Sequence, residues 1–208
     1  MPKLRHETLV YGDISLNLCM LADRQQYSDD AGEAEKVGIS SAQWPLFGVV
    51  WDAGDRLARH LLDIDIEGKR ILEVGCGIAV ASLVLNRRGA NITAMDYHPE
   101  VRSFLKRNVE LNGDRPIPFV QGSWNDELPE LGKFDLVIGS DLLYEQEHAA
   151  QLAEFMLRKL ATGGSVILAD PGRGYRGRFT RCLEAAGFSC QIKTVESVQL
   201  LTYEQRTA

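Results

Sequence analysis

From Arg70 onward the chain alternates short, nearly continuous apolar runs with helix-length amphipathic segments, and few architectures accept that order. Strand-like runs fall at 70–74, 91–96, 117–120, 134–139 and 165–169, with helical patterns between them near 78–88, 99–111 and 146–160. A strand apolar on both faces must be covered on both faces, and parallel neighbours need a crossover, usually a helix, between them. A last helix near 177–186 and two strands near 188–194 and 197–203 complete the set. The expected fold is α/β: a doubly wound, mostly parallel, seven-stranded sheet. Leu160-Ala161-Thr162-Gly163-Gly164 is expected to end a helix with glycine in a left-handed cap before the next strand.

The N-terminal quarter has a different rhythm. Leu9 and Tyr11, then Gly12-Asp13, then Ile14, Leu16, Leu18 and Met20 give period-two apolar spacing about a turn, which predicts a β-hairpin extension. Residues 23–36 are polar and acid-rich, as in a solvated loop or partly disordered connector. Trp51 to Leu62 predicts a helix with Leu57, Ala58, Leu61 and Leu62 on one face. The chain thus divides into a hairpin and connector, 1–50, and one α/β domain, 51–208.

A formal charge of −6 argues against a broad phosphate-binding surface, so no nucleic-acid partner is expected. No apolar stretch is long enough for a bilayer, and the first residues lack the pattern of a secretory signal, which points to a cytoplasmic protein. Cys19, Cys76, Cys182 and Cys190 form no metal-ligand spacing, so neither a metal nor a disulfide framework is expected.

Ile71-Leu72-Glu73-Val74-Gly75-Cys76-Gly77 is a buried strand running into a glycine turn, where backbone can approach a ligand closely. A dinucleotide site wants a third glycine, where this chain has Val80, and a helix N-terminus for a pyrophosphate. S-adenosyl-L-methionine has no phosphate but carries a cationic sulfonium and an α-amino group. Glu73 suits that positive end and is placed to orient the loop, while Asp96, about twenty residues on, suits an acid that accepts both ribose hydroxyls. Taken singly, the two glycines could be only a tight turn and Asp96 a helix cap before Pro99. Their joint spacing on successive strand–helix units favours S-adenosyl-L-methionine.

The fourth strand ends Gly139-Ser140-Asp141-Leu142-Leu143-Tyr144. Methyltransferases of planar amide or base nitrogens often have Asn/Asp-Pro-Pro-aromatic here, whereas this chain has Leu142 and Leu143 for the prolines. A carboxylate followed three residues later by tyrosine suits an aliphatic amine, with Asp141 orienting the nitrogen and Tyr144 walling its channel. The plain alternative makes Asp141 a cap for the next helix and Tyr144 a core aromatic.

On these residues the chain resembles the seven-β-strand, Rossmann-like class I protein-lysine methyltransferases, nearest to those acting on the electron-transfer flavoprotein β-subunit. The resemblance runs from about Pro45 to Gly177 and rests on Trp51 before an LARHLL helix, LEVGCG, DLLY, and Ala169-Asp170-Pro171-Gly172-Arg173 after the fifth strand. It implies that Glu73, Gly75, Gly77 and Asp96 bind cofactor, that Ser123 and Trp124 frame the adenine, and that Trp51 packs near the methionine end unless it only anchors its helix. It further implies that Asp141 and Tyr144 serve a lysine on a protein substrate. A small-molecule amine methyltransferase and a non-catalytic cofactor-binding or interaction module remain open at this point.

Overall fold

The computed structural model describes residues 3–23, 28–41, 43–172 and 174–206. Arg173 of the Asp-Pro-Gly-Arg segment and residues 24–27 of the acid-rich connector lie outside them. The expected hairpin is present. β1 (Leu4–Tyr11) and β2 (Ile14–Leu21) pair antiparallel up to Tyr11–Ile14, and Gly12 supplies the left-handed turn residue at φ 55°.

The connector is not wholly a loop: Glu33–Lys36 forms a one-turn helix, α1. Asp29 makes it possible by accepting the amides of Glu33 at 2.9 Å and Glu35 at 2.8 Å, while Ala34 is buried. The chain continues as α2 (Asp52–His60), β3 (Arg70–Val74), α3 (Val80–Arg87), β4 (Asn91–Asp96), α4 (Val101–Leu111) and β5 (Phe119–Gln121). It ends with β6 (Phe134–Ser140), α5 (His148–Lys159), β7 (Leu160–Asp170), α6 (Arg176–Ala185), β8 (Phe188–Val195) and β9 (Val198–Gln205).

β3 to β9 form one sheet in the order β5-β4-β3-β6-β7-β9-β8. Pairing is parallel from β5 to β7, and β9 is antiparallel to both its neighbours. β3, β4 and β5 step towards one edge, and β6 then returns to the other side of β3. Crossovers leaving β3 and β6 therefore diverge, opening a crevice at the carboxyl ends of those two strands.

Alternation along the strands divides the core between the two faces. Ile71, Ile138 and Ile167 pack with Leu57, Leu83 and Phe104 of α2, α3 and α4. Leu72, Val137 and Val166 pack with Leu152, Phe155 and Phe179 of α5 and α6. The hairpin forms a further layer over α3 and α4, its Leu16, Leu18 and Met20 joining the first of these clusters. Among the described residues no helix is long and apolar enough to cross a membrane.

Asn108 of α4 and Asn112, just past its end, satisfy hairpin backbone that lacks a strand partner. Asn108 Oδ1 accepts the Cys19 amide at 2.7 Å, and Asn112 exchanges two bonds with Asn17 at 2.8 and 2.7 Å. Asn108 is fully buried, so Asn108→Ala leaves a buried N–H without an acceptor. It should cost about 1–3 kcal/mol in denaturant unfolding, with Asn112→Ala, at a half-buried position, costing less.

Departures from the expected boundaries have local causes. α5 ends at Lys159, and Leu160 is already extended (φ −71°, ψ 137°) and paired with Phe134. Gly163 is left-handed as expected (φ 77°), but it sits in an irregularity inside β7, between the pairs Phe134–Leu160 and Leu136–Ser165, and caps no helix. β5 begins later than expected because Pro118 has no N–H; its carbonyl accepts the Ala94 amide at 2.9 Å and pairing starts at Phe119. α3 starts two residues late because Ala79 is itself left-handed (φ 60°), prolonging the turn.

Candidate active site

The glycine turn leaves β3 with three left-handed residues: Gly75 (φ 60°), Gly77 (φ 51°) and Ala79. A Cβ on Gly75 would strike the Leu142 side chain, and one on Gly77 would lie 3.1 Å from the Phe47 carbonyl oxygen, so both positions require glycine. The turn is tied to β4. Cys76 donates its amide to Met95 at 3.0 Å, and Asp96 accepts the amides of Gly77 and His98, each at 2.9 Å. Burial raises the Asp96 carboxyl above its usual range while those amides pull it down. α4 begins only at Val101, five residues past Asp96, so Asp96 is no helix cap.

Glu73 is fully enclosed. It accepts the Ser82 amide at 2.9 Å and the Ser82 hydroxyl, gripping α3 and not the loop's own amides. Burial pushes its carboxyl up to about 7, although both Ser82 donors act in the opposite direction.

β6 delivers Asp141 with φ 52°, a left-handed conformation that is uncommon for a residue with a Cβ and clusters at functional sites. Its amide donates to Ala169 of β7 at 2.9 Å. α5 starts seven residues further on, which removes the helix-cap alternative. Tyr144 is not a core aromatic: it is partly exposed and its hydroxyl pairs with that of Tyr97. Burial and the Tyr97 bond both raise the Tyr144 hydroxyl above its ordinary value. The His148 ring stands edge-on to Tyr144 (4.6 Å, 86°) and to Trp124 (5.3 Å, 87°).

A strap of chain, 38–51, closes the other side. Phe47 lies over His98 at 4.0 Å and meets Phe104 edge-on at 5.2 Å. Burial lowers His98 to about 4, so at neutral pH it stacks as an uncharged ring. Trp51 donates its indole N–H to Leu46 at 2.8 Å, and Trp44 donates to Ile39 at 3.0 Å.

These parts enclose a cavity of about 540 Å³, a volume suited to a small-molecule ligand. Every expected site residue lines it: Trp51, Glu73, Gly75, Gly77, Asp96, Ser123, Trp124, Asp141 and Tyr144. So do Gln43, Phe47, Tyr97, His98, Glu145 and His148, which sequence reasoning missed. The run Trp44–Trp51 was the available signal for the strap, being apolar with neither helical nor strand period.

Among the described residues lining the cavity there is no lysine or arginine; its formally charged side chains are Glu73, Asp96, Asp141 and Glu145. Such walls repel a pyrophosphate and favour a cation that also carries hydroxyls.

The family described as lysine methyltransferase matches residues 40–177 of this chain, from the strap to the first turn of α6. The chain belongs to that family. Its match includes the glycine turn, both acids of the cofactor side and the Asp141–Tyr144 box, and leaves the hairpin outside.

The electron transfer flavoprotein beta subunit lysine methyltransferase of Xenopus laevis is 31% identical over 133 residues, covering 62% of this chain and 53% of that protein. The chain spans about half the length of these curated relatives. Among solved structures, the ribosomal protein L11 methylase of Lactobacillus delbrueckii subsp. bulgaricus superposes with a TM-score of 0.65 at 19% identity, covering 76% of this chain and 81% of that one. Magnesium protoporphyrin IX methyltransferase from Synechocystis PCC 6803 with bound SAM gives 0.59 at 20% identity, covering 74% and 78%. At these identities the likeness is one of fold, and it is the doubly wound fold expected from the sequence.

Proposed function

We propose that the chain is an S-adenosyl-L-methionine-dependent N-methyltransferase whose acceptor is a lysine side chain of a protein. The carrying observation is a cavity whose described charged residues are all acids, with Asp141 and Tyr144 lining the same space. Membership of the lysine methyltransferase family and the fold shared with a methyltransferase that binds SAM support it.

In this reading Glu73 favours the cofactor's positive end, Asp96 takes the ribose hydroxyls, and Ser123 and Trp124 frame the adenine. When bound, the cofactor supplies an electrophilic methyl group on a sulfonium sulfur. The chain's own contribution is chiefly positioning. A lysine ammonium has no lone pair, so it must lose a proton before it can attack. Asp141 accepts an N–H of the amine and passes the released proton to solvent at the mouth. Tyr144 walls the channel, aims the nitrogen, and is itself held by the Tyr97 hydroxyl. The strap, through Phe47 and Trp51, supplies an apolar wall to the same space.

The division at residue 50 then separates hairpin from methyltransferase domain only loosely, because 38–50 contributes cavity wall. A cytoplasmic setting belongs to the same reading.

Labelled S-adenosylmethionine and a cell lysate, followed by mass-spectrometric site mapping, test the proposal. Label on protein lysines is the expected result, whereas label confined to metabolites, glutamine or nucleobases would overturn it. Tyr97→Phe should slow transfer by about fivefold, the worth of one hydrogen bond of ~1 kcal/mol. Cofactor affinity should be unchanged, as measured by single-turnover rates beside calorimetry.

A further inference from the structure

The strap and the acceptor box are joined at the cavity mouth by a residue outside both. Glu145 follows Tyr144, and its Oε1 accepts Gln43 Nε2 at 2.6 Å across 102 residues of sequence. Its Oε2 lies 3.3 Å from His148 Nε2. The other ring nitrogen of His148 is 3.2 Å from the Leu142 carbonyl oxygen, so the ring stands between two acceptors and a single N–H serves one of them at a time. That ring in turn abuts the faces or edges of Tyr144 and Trp124. A chain of direct contacts thus runs from Gln43 through Glu145 and His148 to two side chains of the proposed acceptor and adenine sites.

We infer that Glu145 is a positioning residue that couples cofactor binding to the shape of the amine channel. The inference rests on the reading of the cavity given above. Leu46, Phe47 and Val49–Trp51 of the strap line the same space as Gly75–Ala81. A molecule filling that space therefore bears on the strap that carries Gln43. With the strap closed, Gln43 holds Glu145, Glu145 holds His148, and His148 holds Tyr144 at its working angle. With it open, the Glu145 side chain, about half exposed, has only an exposed pairing with His148, and such pairings are worth little alone. The bridge is thus a conditional link between two sites and adds little to stability. Linkage makes the effect reciprocal: an amine in the channel must tighten the cofactor side by the same factor.

The test is calorimetry of S-adenosylhomocysteine with and without n-butylamine, which reproduces the lysine side chain and does not depend on knowing the acceptor. In the unmodified protein the amine should tighten S-adenosylhomocysteine binding by about tenfold. Gln43→Ala and Glu145→Ala should each bring that factor close to one, and the double variant should lose no more than either alone. Glu145→Gln, which still accepts from Gln43, should recover part of it. Binding of S-adenosylhomocysteine alone should change by less than the coupling factor in all four variants, with thermal stability retained, a pattern that general destabilisation would not produce. Coupling that survives Glu145→Ala, or is absent from the unmodified protein, overturns the inference. Failure of S-adenosylhomocysteine to bind the unmodified protein at all would overturn the cofactor reading beneath it.

Discussion

Asp141→Asn is expected to lower methyl transfer to a lysine amine by about 10²–10⁴-fold, the range for loss of a positioned acid–base group. Cofactor affinity should stay within a few fold. Asparagine is the informative replacement because Asp141 is left-handed (φ 52°), and asparagine adopts that region at less cost than alanine. Asp141→Ala adds backbone strain to the loss of charge, so it should be at least as slow and also less stable. Single-turnover rates give the chemical step, and calorimetry with S-adenosylmethionine gives the cofactor side. Equal loss of rate and affinity would place Asp141 among the cofactor ligands and leave the amine without its acceptor.

This position shows what sequence could and could not disclose. The run from Phe134 to Gly139 announced a buried strand, and the parallel order put its carboxyl end beside the glycine turn. Both follow from apolar periodicity and from the handedness of crossovers, which are local or topological rules. The left-handed backbone at Asp141 follows from neither. It accompanies a hydrogen bond from the Asp141 amide to the Ala169 carbonyl of β7, close in space and distant along the chain.

The same division holds across the site. Glu73, Gly75, Gly77 and Asp96 were legible because residue type and spacing alone constrain a glycine turn between two strands. Tyr97, Glu145 and His148 were not, since each acquires its place from a non-local partner: Tyr144, Gln43 and Trp124 respectively. The strap was hidden for a further reason. Trp44, Phe47 and Trp51 are apolar without period, and such a run acquires a location only when His98 and the glycine turn are present to receive it. Gly163 is a subtler case. Its left-handed φ was foreseeable from residue type, but a helix cap and a strand irregularity use the same conformation, and only pairing with Phe134 separates them.

Glu73→Gln should produce opposite effects on the empty and the cofactor-loaded protein. Burial raises the Glu73 carboxyl from 4.5 to about 7, so the folded chain holds this proton more tightly than the unfolded one. Stability from that difference is complete below about pH 4.5 and is lost as pH rises to about 7, a span worth about 3 kcal/mol. Glutamine carries no such penalty. The empty variant should therefore match the unmodified protein near pH 4.5 and melt several degrees higher at pH 8.

Binding should reverse the order. A cationic ligand in the cavity stabilises the ionised carboxylate, so affinity for S-adenosylmethionine should rise between pH 5 and 8, by a factor of about ten for each unit the Glu73 value falls on binding. Near pH 6.5 that binding should release a proton, seen as a dependence of calorimetric heat on the buffer's ionisation enthalpy. Glu73→Gln should bind more weakly at pH 8, with a flat pH profile and no release from this site. If the unmodified protein bound S-adenosylmethionine equally well at pH 5 and pH 8, the carboxylate would have no part in holding the positive end. Its role would then be only the grip on Ser82 that fixes α3 to β3.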